Sequence, residues 1–502
     1  MTQGGAAPPW GGRSLVPSIA LASAAAVGAA LPVARLGPGS LAVAAFAVVP
    51  LGALVLFGTK RAVVTLGALV YIGVLVWAYP RKIVPVYAYQ GLVDASPAVS
   101  ALAIAGVLAL APAAWLPVAA RRPSTLLLWI VYLVGYVPAI VVPVFMVGRI
   151  EAVLPFDVAL LASMAIVGAL VRLPPAPVTI APLSLSTFTR VLVGLAVLCL
   201  IYVAATFGIH APPSLADIYS TRAQFSAEVP ASLAGGYIVP WASNALHPML
   251  LALGIARRRL PLVLLALAGQ GLIYSVTGYR TTLFSVLLTP LIYLGVTRAR
   301  ASFGVVATAA ASAILLFAVA SPLTSLETRA LATRTLATPA EIGWFYYDYF
   351  SVHQPYRLSH SFLRSFEAHP YIEEPADLIG PLYFAPDKPS ANANLWADAF
   401  ANFRVWGVIL FTFAFGLALL VVDGLGRDRD LRVAGGMLAM VGLSLTNSGF
   451  FTVVLTLGLA FGSVLMALMP AMSDARGGAA PAAVRDGAGG RGRLAAARTA
   501  DR

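Results

Sequence analysis

Residues 124–147 read STLLLWIVYLVGYVPAIVVPVFMV, without one charged side chain. An α-helix rises about 1.5 Å per residue, so a run of this length crosses the roughly 30 Å hydrocarbon core of a bilayer. Arg121 and Arg122 lie shortly before the run and Arg149 shortly after it. The stretch therefore predicts a transmembrane helix with charged residues at both of its ends.

The rest of the chain repeats this pattern. Of its 502 residues, 60% are hydrophobic and 11% are charged, and the mean hydropathy is +0.87. This balance excludes an ordinary soluble domain. We predict an all-α polytopic membrane protein with about fourteen transmembrane helices. The spans are expected at 14–34, 39–58, 62–79, 98–120, 124–147, 152–171, 190–208, 232–256, 261–276, 281–297, 303–321, 403–422, 432–447 and 449–470.

Arginine and lysine are concentrated in alternate connections between these spans. Short cytoplasmic loops carry the excess of basic residues in membrane proteins. This rule predicts a multi-pass membrane protein with both termini in the cytoplasm. The excess of Arg over Lys and the abundance of Ala and Gly suggest a bacterial chain, so the expected location is the cytoplasmic membrane. The net charge of +13 is mostly this topology signal, so we expect no nucleic-acid partner. The basic residues concerned are Lys60, Arg61, Arg121, Arg122, Arg172, Arg190, Arg257, Arg258, Arg259, Arg298, Arg300, Arg427, Arg429 and Arg432.

The spacing of the spans divides the chain into four parts. Residues 1–321 form an N-terminal membrane bundle of about eleven spans, and residues 403–470 form the C-terminal spans. Between them, residues 322–402 form one large extracytoplasmic loop rich in aromatic, charged and amide side chains. Residues 471–502 are rich in Ala, Gly and Arg, which predicts a disordered cytoplasmic tail. The functional site is expected in the large loop, because most other connections are short.

Several basic residues outside that loop interrupt the positive-inside pattern, and two arginines among them are the sharpest candidates for a site. Arg280 falls between two spans joined by hardly any loop, beside Gly278 and the interfacial Tyr279. Arg222 lies in the preceding extracytoplasmic connection. The planar guanidinium fork suits phosphate oxygens, so both residues are candidates for binding a lipid diphosphate. The alternative is that they extend into the headgroup region as ordinary interfacial residues.

The large loop carries candidate acid-base groups. Its polar residues His353, Arg357, His360 and Arg364 recur every three or four positions, which predicts that they share one helical face. Such a face would combine a general base with phosphate-binding cations. The carboxylates Glu341 and Asp348 are the alternative bases.

Metal binding is the rival interpretation of the loop histidines. His353, His360 and His369 are followed by Glu373 and Glu374, and all five side chains are of metal-binding types. Their spacing matches no compact zinc signature. We therefore expect no metal site.

The end of the loop is rich in amides. Asn392, Asn394, Asp398 and Asn402 precede the next span and suit either sugar hydroxyls or capping of the helix that begins there. Aromatic rings of the loop would stack on sugar faces or anchor the loop at the interface. Tyr279, outside the loop, is a further candidate for sugar binding.

Three stretches together resemble the bacterial oligosaccharide repeat-unit polymerases, the O-antigen polymerase-like proteins. They are IYSTR at 218–222, TGYRTTL at 277–283 and SANANLWADAFANF at 390–403. The resemblance covers roughly residues 200–420. One departure is Arg404, because the family usually has a small residue, commonly Gly, at that position.

The resemblance implies a GT-C-like membrane glycosyltransferase that uses no metal or cofactor. Such enzymes transfer a growing glycan from undecaprenyl diphosphate to a lipid-linked repeat unit. It implies that Arg222 and Arg280 hold the diphosphate and that His353, His360, Glu341 or Asp348 is the base. The expected partners are undecaprenyl diphosphate-linked oligosaccharides and membrane lipids, with a chain-length regulator as a further candidate.

Two other functions remain open at this stage. A flippase for lipid-linked oligosaccharides would also have many spans, although it would be expected to have short loops and two related halves. A glycosyltransferase that uses polyprenyl-phosphate sugars would typically carry an acidic pair in its first outer loop, where this chain has only Asp94.

Overall fold

A computed structural model describes residues 59–214, 217–228, 233–320, 332–361, 365–384 and 390–471. Every regular element in these ranges is helical, and no strand occurs there. The helices used below are α1 Lys60–Gln90, α2 Val99–Ala114, α3 Pro123–Val147, α4 Ile150–Leu170, α5 Leu185–Phe207, α6 Ile218–Glu228, α7 Ala234–Arg257, α8 Leu260–Thr277, α9 Arg280–Ala299, α10 Phe303–Ala320, α11 Thr338–Val352, α12 Pro375–Tyr383, α13 Leu395–Leu425, α14 Leu431–Leu445 and α15 Phe450–Leu468.

Apolar helices of membrane-spanning length dominate the fold. Among the described residues, nine helical stretches are long and apolar enough to cross a bilayer, and α2 and α14 are shorter apolar helices. The stretch Arg280–Val319 counts once, although a 3-10 turn at Arg300–Ser302 divides it into α9 and α10. The prediction of a polytopic all-α membrane protein is therefore confirmed. The spans predicted at 14–34 and 39–58, and the tail beyond residue 471, lie outside the described residues.

One end of the bundle collects basic side chains that bind main-chain carbonyl groups. Arg122 donates from Nη1 to the carbonyl oxygen of Val171 at 2.9 Å and lies 3.8 Å from Asp423. Arg300 donates to the carbonyl oxygen of Ala120 at 3.1 Å. We call this the basic end and define it by Arg61, Arg122, Arg172, Arg300 and Arg429. The connections that the positive-inside rule groups together thus meet in space.

The opposite end, here called the loop end, is formed by residues 91–96, 148–150, 278–280 and 390–402. There the amide of Ala95 donates to the carbonyl oxygen of Phe145 at 2.8 Å, which joins the α1–α2 connection to the end of α3. The described part of the predicted large loop lies at this end. It forms α11, α12 and the first turns of α13, which begins at Leu395 and not at the predicted residue 403.

Candidate functional site

Arg222 and Arg280 lie at one helix junction at the loop end. The guanidinium of Arg222 donates from Nε and Nη2 to the carbonyl oxygen of Gly278 at 3.2 and 3.1 Å. Its Cζ lies 5.7 Å from the centre of the Tyr279 ring. Gly278 has a left-handed φ of 60° and ends α8, and Arg280 begins α9. The structure therefore places at one junction two arginines that are separated in the sequence by the whole of α7 and α8.

The side chain of Arg280 is half-buried and incompletely hydrogen-bonded. Its Nε is buried and has no hydrogen-bond partner among the described residues. A buried donor of this kind is costly unless water or a ligand accepts from it. The junction thus offers a guanidinium with a donor still unused.

Helix α9 places Arg280 level with the end of α14. Thr289 of α9 packs against Gly436 of α14. Arg280 lies nine residues before Thr289, and Leu445 lies nine residues after Gly436. Because the two helices run in opposite directions, each segment extends about 13 Å towards the loop end. Arg280 and Leu445 therefore lie at similar depth in the bundle.

Helix α11 packs on the membrane bundle. Tyr347 stacks on Phe156 of α4 with ring centres 4.9 Å apart. Glu341 is completely buried and lies against Gly91, whose φ of 97° is left-handed. A carboxyl group enclosed in this way is shielded from solvent and from any sugar hydroxyl in it. Among the predicted bases, Glu341 is therefore the least accessible.

Asn394 caps a helix. Its Oδ1 accepts from the backbone N–H groups of Trp396 and Ala397 at 3.0 and 2.9 Å, which are at the start of α13. Its Nδ2 donates to the carbonyl oxygen of Pro339 at 3.3 Å. The capping alternative is confirmed for Asn394, and its buried amide also ties α13 to α11.

Asn402 joins α13 to the segment after α11. It is fully buried, and its Nδ2 donates to the carbonyl oxygen of Asp398 at 2.8 Å. Its Oδ1 accepts from the backbone N–H of Leu358 at 2.8 Å. Its main-chain carbonyl oxygen accepts from the backbone N–H of Arg357 at 3.2 Å. Every polar atom of this amide group therefore has a protein partner.

Asp398 and Asn392 are the more accessible members of the predicted sugar-binding group. Asp398 is partly exposed, and its Oδ1 accepts from Asn402 at 3.3 Å. Its Oδ2 packs so closely against Gly449 that a Cβ there would overlap it. Asn392 is exposed to solvent.

The helical face predicted for residues 353–364 is wrong over the described residues. Helix α11 ends at Val352, and His353 has an extended backbone. Arg357 and Leu358 both have left-handed φ values, of 54° and 63°, which no α-helix accommodates. The segment instead folds back onto Asn402, and those contacts outweigh the spacing of its polar residues. Arg364 lies outside the described residues.

Aromatic contacts bring together three histidines of the loop, His353, His360 and His369. His353 stacks on Tyr349 with ring centres 3.9 Å apart. The ring of Tyr356 meets the rings of His360 and His369 edge-on, at 5.2 and 5.4 Å. Tyr371 completes the cluster. Its ring centre lies 4.9 Å from that of Tyr356 and 6.2 Å from that of Tyr349.

Two of these histidines have environments that determine their chemistry. For His353 it is a hydrogen bond, and for His360 it is burial. Nδ1 of His353 lies 2.8 Å from the carbonyl oxygen of Tyr349. Because a carbonyl only accepts, Nδ1 must carry the proton, which leaves Nε2 as the proton acceptor of the neutral ring. Burial, with the neighbouring His369, lowers the pKa of His360 to about 4, so His360 is neutral at physiological pH.

Asp348 is already hydrogen-bonded. It is exposed on α11, and its Oδ2 accepts from the hydroxyl of Tyr383 on α12 at 2.7 Å. Burial and the Asp348 carboxylate both raise the pKa of that Tyr383 hydroxyl. The pair holds α12 against α11.

Helix α13 is broken at Phe403 and Arg404, a feature that the sequence did not predict. Arg404 has φ 54° and ψ −138°, a conformation that glycine adopts far more readily. Its Nη2 donates to the carbonyl oxygen of His353 at 3.2 Å. Arg404 thereby reaches the histidine and tyrosine cluster. The one sequence signal for this break is that Arg404 stands where the family that the chain resembles usually has a small residue.

The break frees main-chain groups that then hold the loop. In a continuous helix, the carbonyls of Ala401 and Asn402 would accept from N–H groups four residues later. Here they accept from the N–H groups of Tyr356 and Arg357, at 2.9 and 3.2 Å. The kink and the fold-back of the loop are therefore one structural unit.

Two ionisable side chains lie buried within the membrane bundle. Neither carboxylate oxygen of Asp157 on α4 and neither ring nitrogen of His247 on α7 has a hydrogen-bond partner among the described residues. His247 packs against Gly269 of α8. Asp157 was not among the sequence candidates.

Within the described residues, no three His, Cys, Asp or Glu side chains are arranged to hold a metal ion. The loop histidines instead stack on tyrosines or bind carbonyl groups. Comparison with protein-family models, curated proteins and solved structures finds no match to this chain.

Proposed function

We propose that this protein polymerises undecaprenyl diphosphate-linked oligosaccharide repeat units into a cell-surface polysaccharide. In this proposal the chain is an O-antigen polymerase-like glycosyltransferase of the bacterial cytoplasmic membrane. It has about fourteen spans in a GT-C-like arrangement, and its loop end faces outward.

The observation that carries the proposal is the junction of Arg222 with Gly278, Tyr279 and Arg280. Two cations that lie far apart in the chain meet there, at the bundle end that also carries the aromatic and histidine-rich loop. Arg280 retains a buried donor for which the described part of the chain supplies no acceptor. A lipid diphosphate supplies both the negative charge and the acceptor oxygens that such a junction lacks.

The reaction requires an oxygen of the acceptor sugar to attack the anomeric carbon of the donor glycan. The carbon–oxygen bond to the diphosphate breaks, and the electron pair leaves with undecaprenyl diphosphate. Arg222 and Arg280 stabilise the charge that develops on this leaving group. The proton of the attacking hydroxyl passes to a general base.

His353 is the base that the geometry favours. Its ring is exposed, and the hydrogen bond from Nδ1 to Tyr349 leaves Nε2 free to accept a proton. Glu341 is enclosed, and Asp348 is engaged by Tyr383. The neutral His360 lies in the same aromatic cluster and is the next candidate.

The test compares two arginines on the same helix. Arg280→Ala removes the cation at the loop end of α9, and Arg298→Ala removes an exposed cation at its other end. Cells that carry the wild-type chain, a deletion or either variant, at matched expression, are analysed for polyprenyl-linked glycans on gels. We expect Arg280→Ala to lose long polymer, with single repeat units still delivered to the outer face, and Arg298→Ala to resemble wild type.

Other outcomes would identify another function. Repeat units trapped on the cytoplasmic side in the deletion strain would indicate a flippase. Loss of one sugar from each repeat unit, with polymer length unchanged, would indicate a transferase that uses polyprenyl-phosphate sugars. Normal polymer in the deletion strain would refute polymerisation as the function.

A further inference from the structure

Three strained residues meet at the contact between the loop and α13. Among the described residues, the non-glycine residues with positive φ are Ser96, Arg258, Arg357, Leu358, Arg404 and Asp428. Arg357, Leu358 and Arg404 all lie at this one contact, where the N–H groups of Arg357 and Leu358 bind the backbone and side chain of Asn402.

Strain of this kind persists only where the surrounding structure enforces it, and it is concentrated at functional sites. At position 404, glycine would relieve the strain without any change in the path of the chain. An arginine at this position is therefore explained best by what its side chain does.

The two strained arginines, Arg357 and Arg404, belong to two segments that are joined by backbone hydrogen bonds. The backbone of Arg357 is bonded to Asn402, two residues before Arg404. Both side chains are exposed, and neither lies within ion-pair distance of a described carboxylate. Arg404 donates one hydrogen bond, from Nη2 to the carbonyl oxygen of His353. The other N–H groups of its guanidinium remain available to a ligand.

The ligand that fits this arrangement is an oxyanion with more than one acceptor group. Two exposed guanidinium groups suit a diphosphate better than a single carboxylate, because each fork binds two oxygens. The hydroxyl of Tyr371 donates to the carbonyl oxygen of Gln354, the residue after His353, whose carbonyl oxygen Arg404 binds, so an aromatic residue lies near this guanidinium.

We propose that Arg404, together with Arg357, binds the diphosphate of a lipid-linked glycan. The Arg222–Arg280 junction then serves the second of the two lipid carriers that a polymerase must hold at once. This inference rests on the proposed function and assigns to it a second diphosphate site.

The experiment uses the full-length protein in lipid nanodiscs and measures two quantities for each variant. These are the Kd for undecaprenyl diphosphate and the Tm. Arg404→Gly removes the guanidinium and relieves the strain. We expect its Kd to rise at least about tenfold and its Tm to rise by several degrees. Arg404→Lys retains the charge without the fork and is expected to have an intermediate Kd.

The matched control is Arg258→Gly at the opposite end of the bundle. Arg258 also has a left-handed φ, of 50°, and an exposed side chain. Its replacement is expected to raise the Tm in the same way and to leave the Kd unchanged. Inorganic diphosphate and glucuronate, used as competitors, separate binding of the diphosphate group from binding of an acidic sugar.

Each outcome decides between the two proposals. An unchanged Kd in Arg404→Gly, with polymer still made in cells, would overturn the second site and leave the proposed function standing. Competition by glucuronate and not by diphosphate would assign Arg404 to an acidic sugar and would also overturn it. Absence of both diphosphate binding and polymer for the wild-type chain would overturn the proposed function itself.

Discussion

Position 404 has the backbone of a glycine and the side chain of an arginine. Its φ of 54° and ψ of −138° cost on the order of 1–3 kcal/mol for a residue with a Cβ. The hydrogen bond to the carbonyl oxygen of His353 offsets part of this, since a charged hydrogen bond contributes about 1.5–3 kcal/mol where it is shielded and less at this exposed site. At the scale of single residues, the ligand-binding role proposed for the Arg404 side chain would account for the rest of this cost.

Asn402 illustrates the opposite case, a polar residue whose role is structural. In Asn402→Ala, the backbone N–H of Leu358 loses its acceptor in a buried place. We expect a loss of about 1–3 kcal/mol in the free energy of unfolding. Chemical denaturation in detergent measures it, and Asn392→Ala is the control because Asn392 is exposed. Equal stability of the two variants would contradict the structural role.

Burial of His360 is expected to make the folded protein less stable at acid pH. Its pKa is about 4 in the folded protein, below its ordinary value of 6.5. Between these values the unfolded chain binds the proton and the folded chain does not, so stability is complete above pH 6.5 and falls as the pH drops towards 4. The loss is at most about 3 kcal/mol. Thermal unfolding across this range should show a weaker pH dependence in His360→Asn than in wild type, and identical slopes would count against the buried, neutral ring.

At the scale of elements, α13 is the helix that connects the site to the membrane. Its first turns carry Asn394, Asp398 and Asn402, and its last turn carries Asp423, which binds Ser124 of α3 at the basic end. The kink at Phe403 and Arg404 turns the helix between these two parts. The kink thus decides where the loop is held.

Gly407 allows the kink to form. A Cβ at this position would overlap the carbonyl oxygen of Ala399, so Gly407→Ala must open the bend. We expect a loss of at least about 2 kcal/mol in the free energy of unfolding, as overpacking in a close contact costs about 1–3 kcal/mol. The control is Gly194→Ala on α5, where a Cβ meets nothing within 4 Å, and which should be neutral or slightly stabilising. The two variants are compared by thermal unfolding, and a neutral Gly407→Ala would contradict the bent geometry.

Hydrophobic runs predicted the elements far better than the site. A stretch such as 124–147 needs only length and apolar composition to be recognised as a spanning helix, and α3 covers it. The polar spacing of residues 353–364 is equally regular, yet the segment folds back because freed carbonyls of α13 bind it. Contacts of this kind join residues far apart in the chain, so local spacing carries no sign of them.

Site residues with local contacts could also be predicted from the sequence better than those whose contacts are distant in the chain. The meeting of Arg222 with the turn at Gly278 follows from packing of α6 on α8, which the sequence does not encode locally. The cap by Asn394 is local, and the sequence offered it as an alternative. The fold decided which of the predicted residues are buried in structural contacts, as Asn394 and Asn402 are, and which are accessible, as His353 is.

At the scale of the whole molecule, the two ends of the bundle differ in chemistry. The basic end uses its arginines to bind carbonyl groups and Asp423, so those cations are largely occupied. The loop end carries Arg280, Arg357 and Arg404, none of which lies within ion-pair distance of a described carboxylate, together with stacked histidines and tyrosines. An anionic lipid-linked substrate is therefore expected to act at the loop end, and the orientation of the molecule decides on which side of the membrane this occurs.

This orientation is testable because the chain has a single cysteine, Cys199. In a Cys199→Ser background, each of two variants carries one new cysteine at an exposed position. Gln354→Cys lies near the loop end, and Arg259→Cys lies near the basic end. The positive-inside rule places the basic end in the cytoplasm. A membrane-impermeant maleimide should therefore label Gln354→Cys in intact cells and Arg259→Cys only after permeabilisation. The reverse pattern would place the cations and histidines of the loop end in the cytoplasm, where they could not polymerise units already delivered outside.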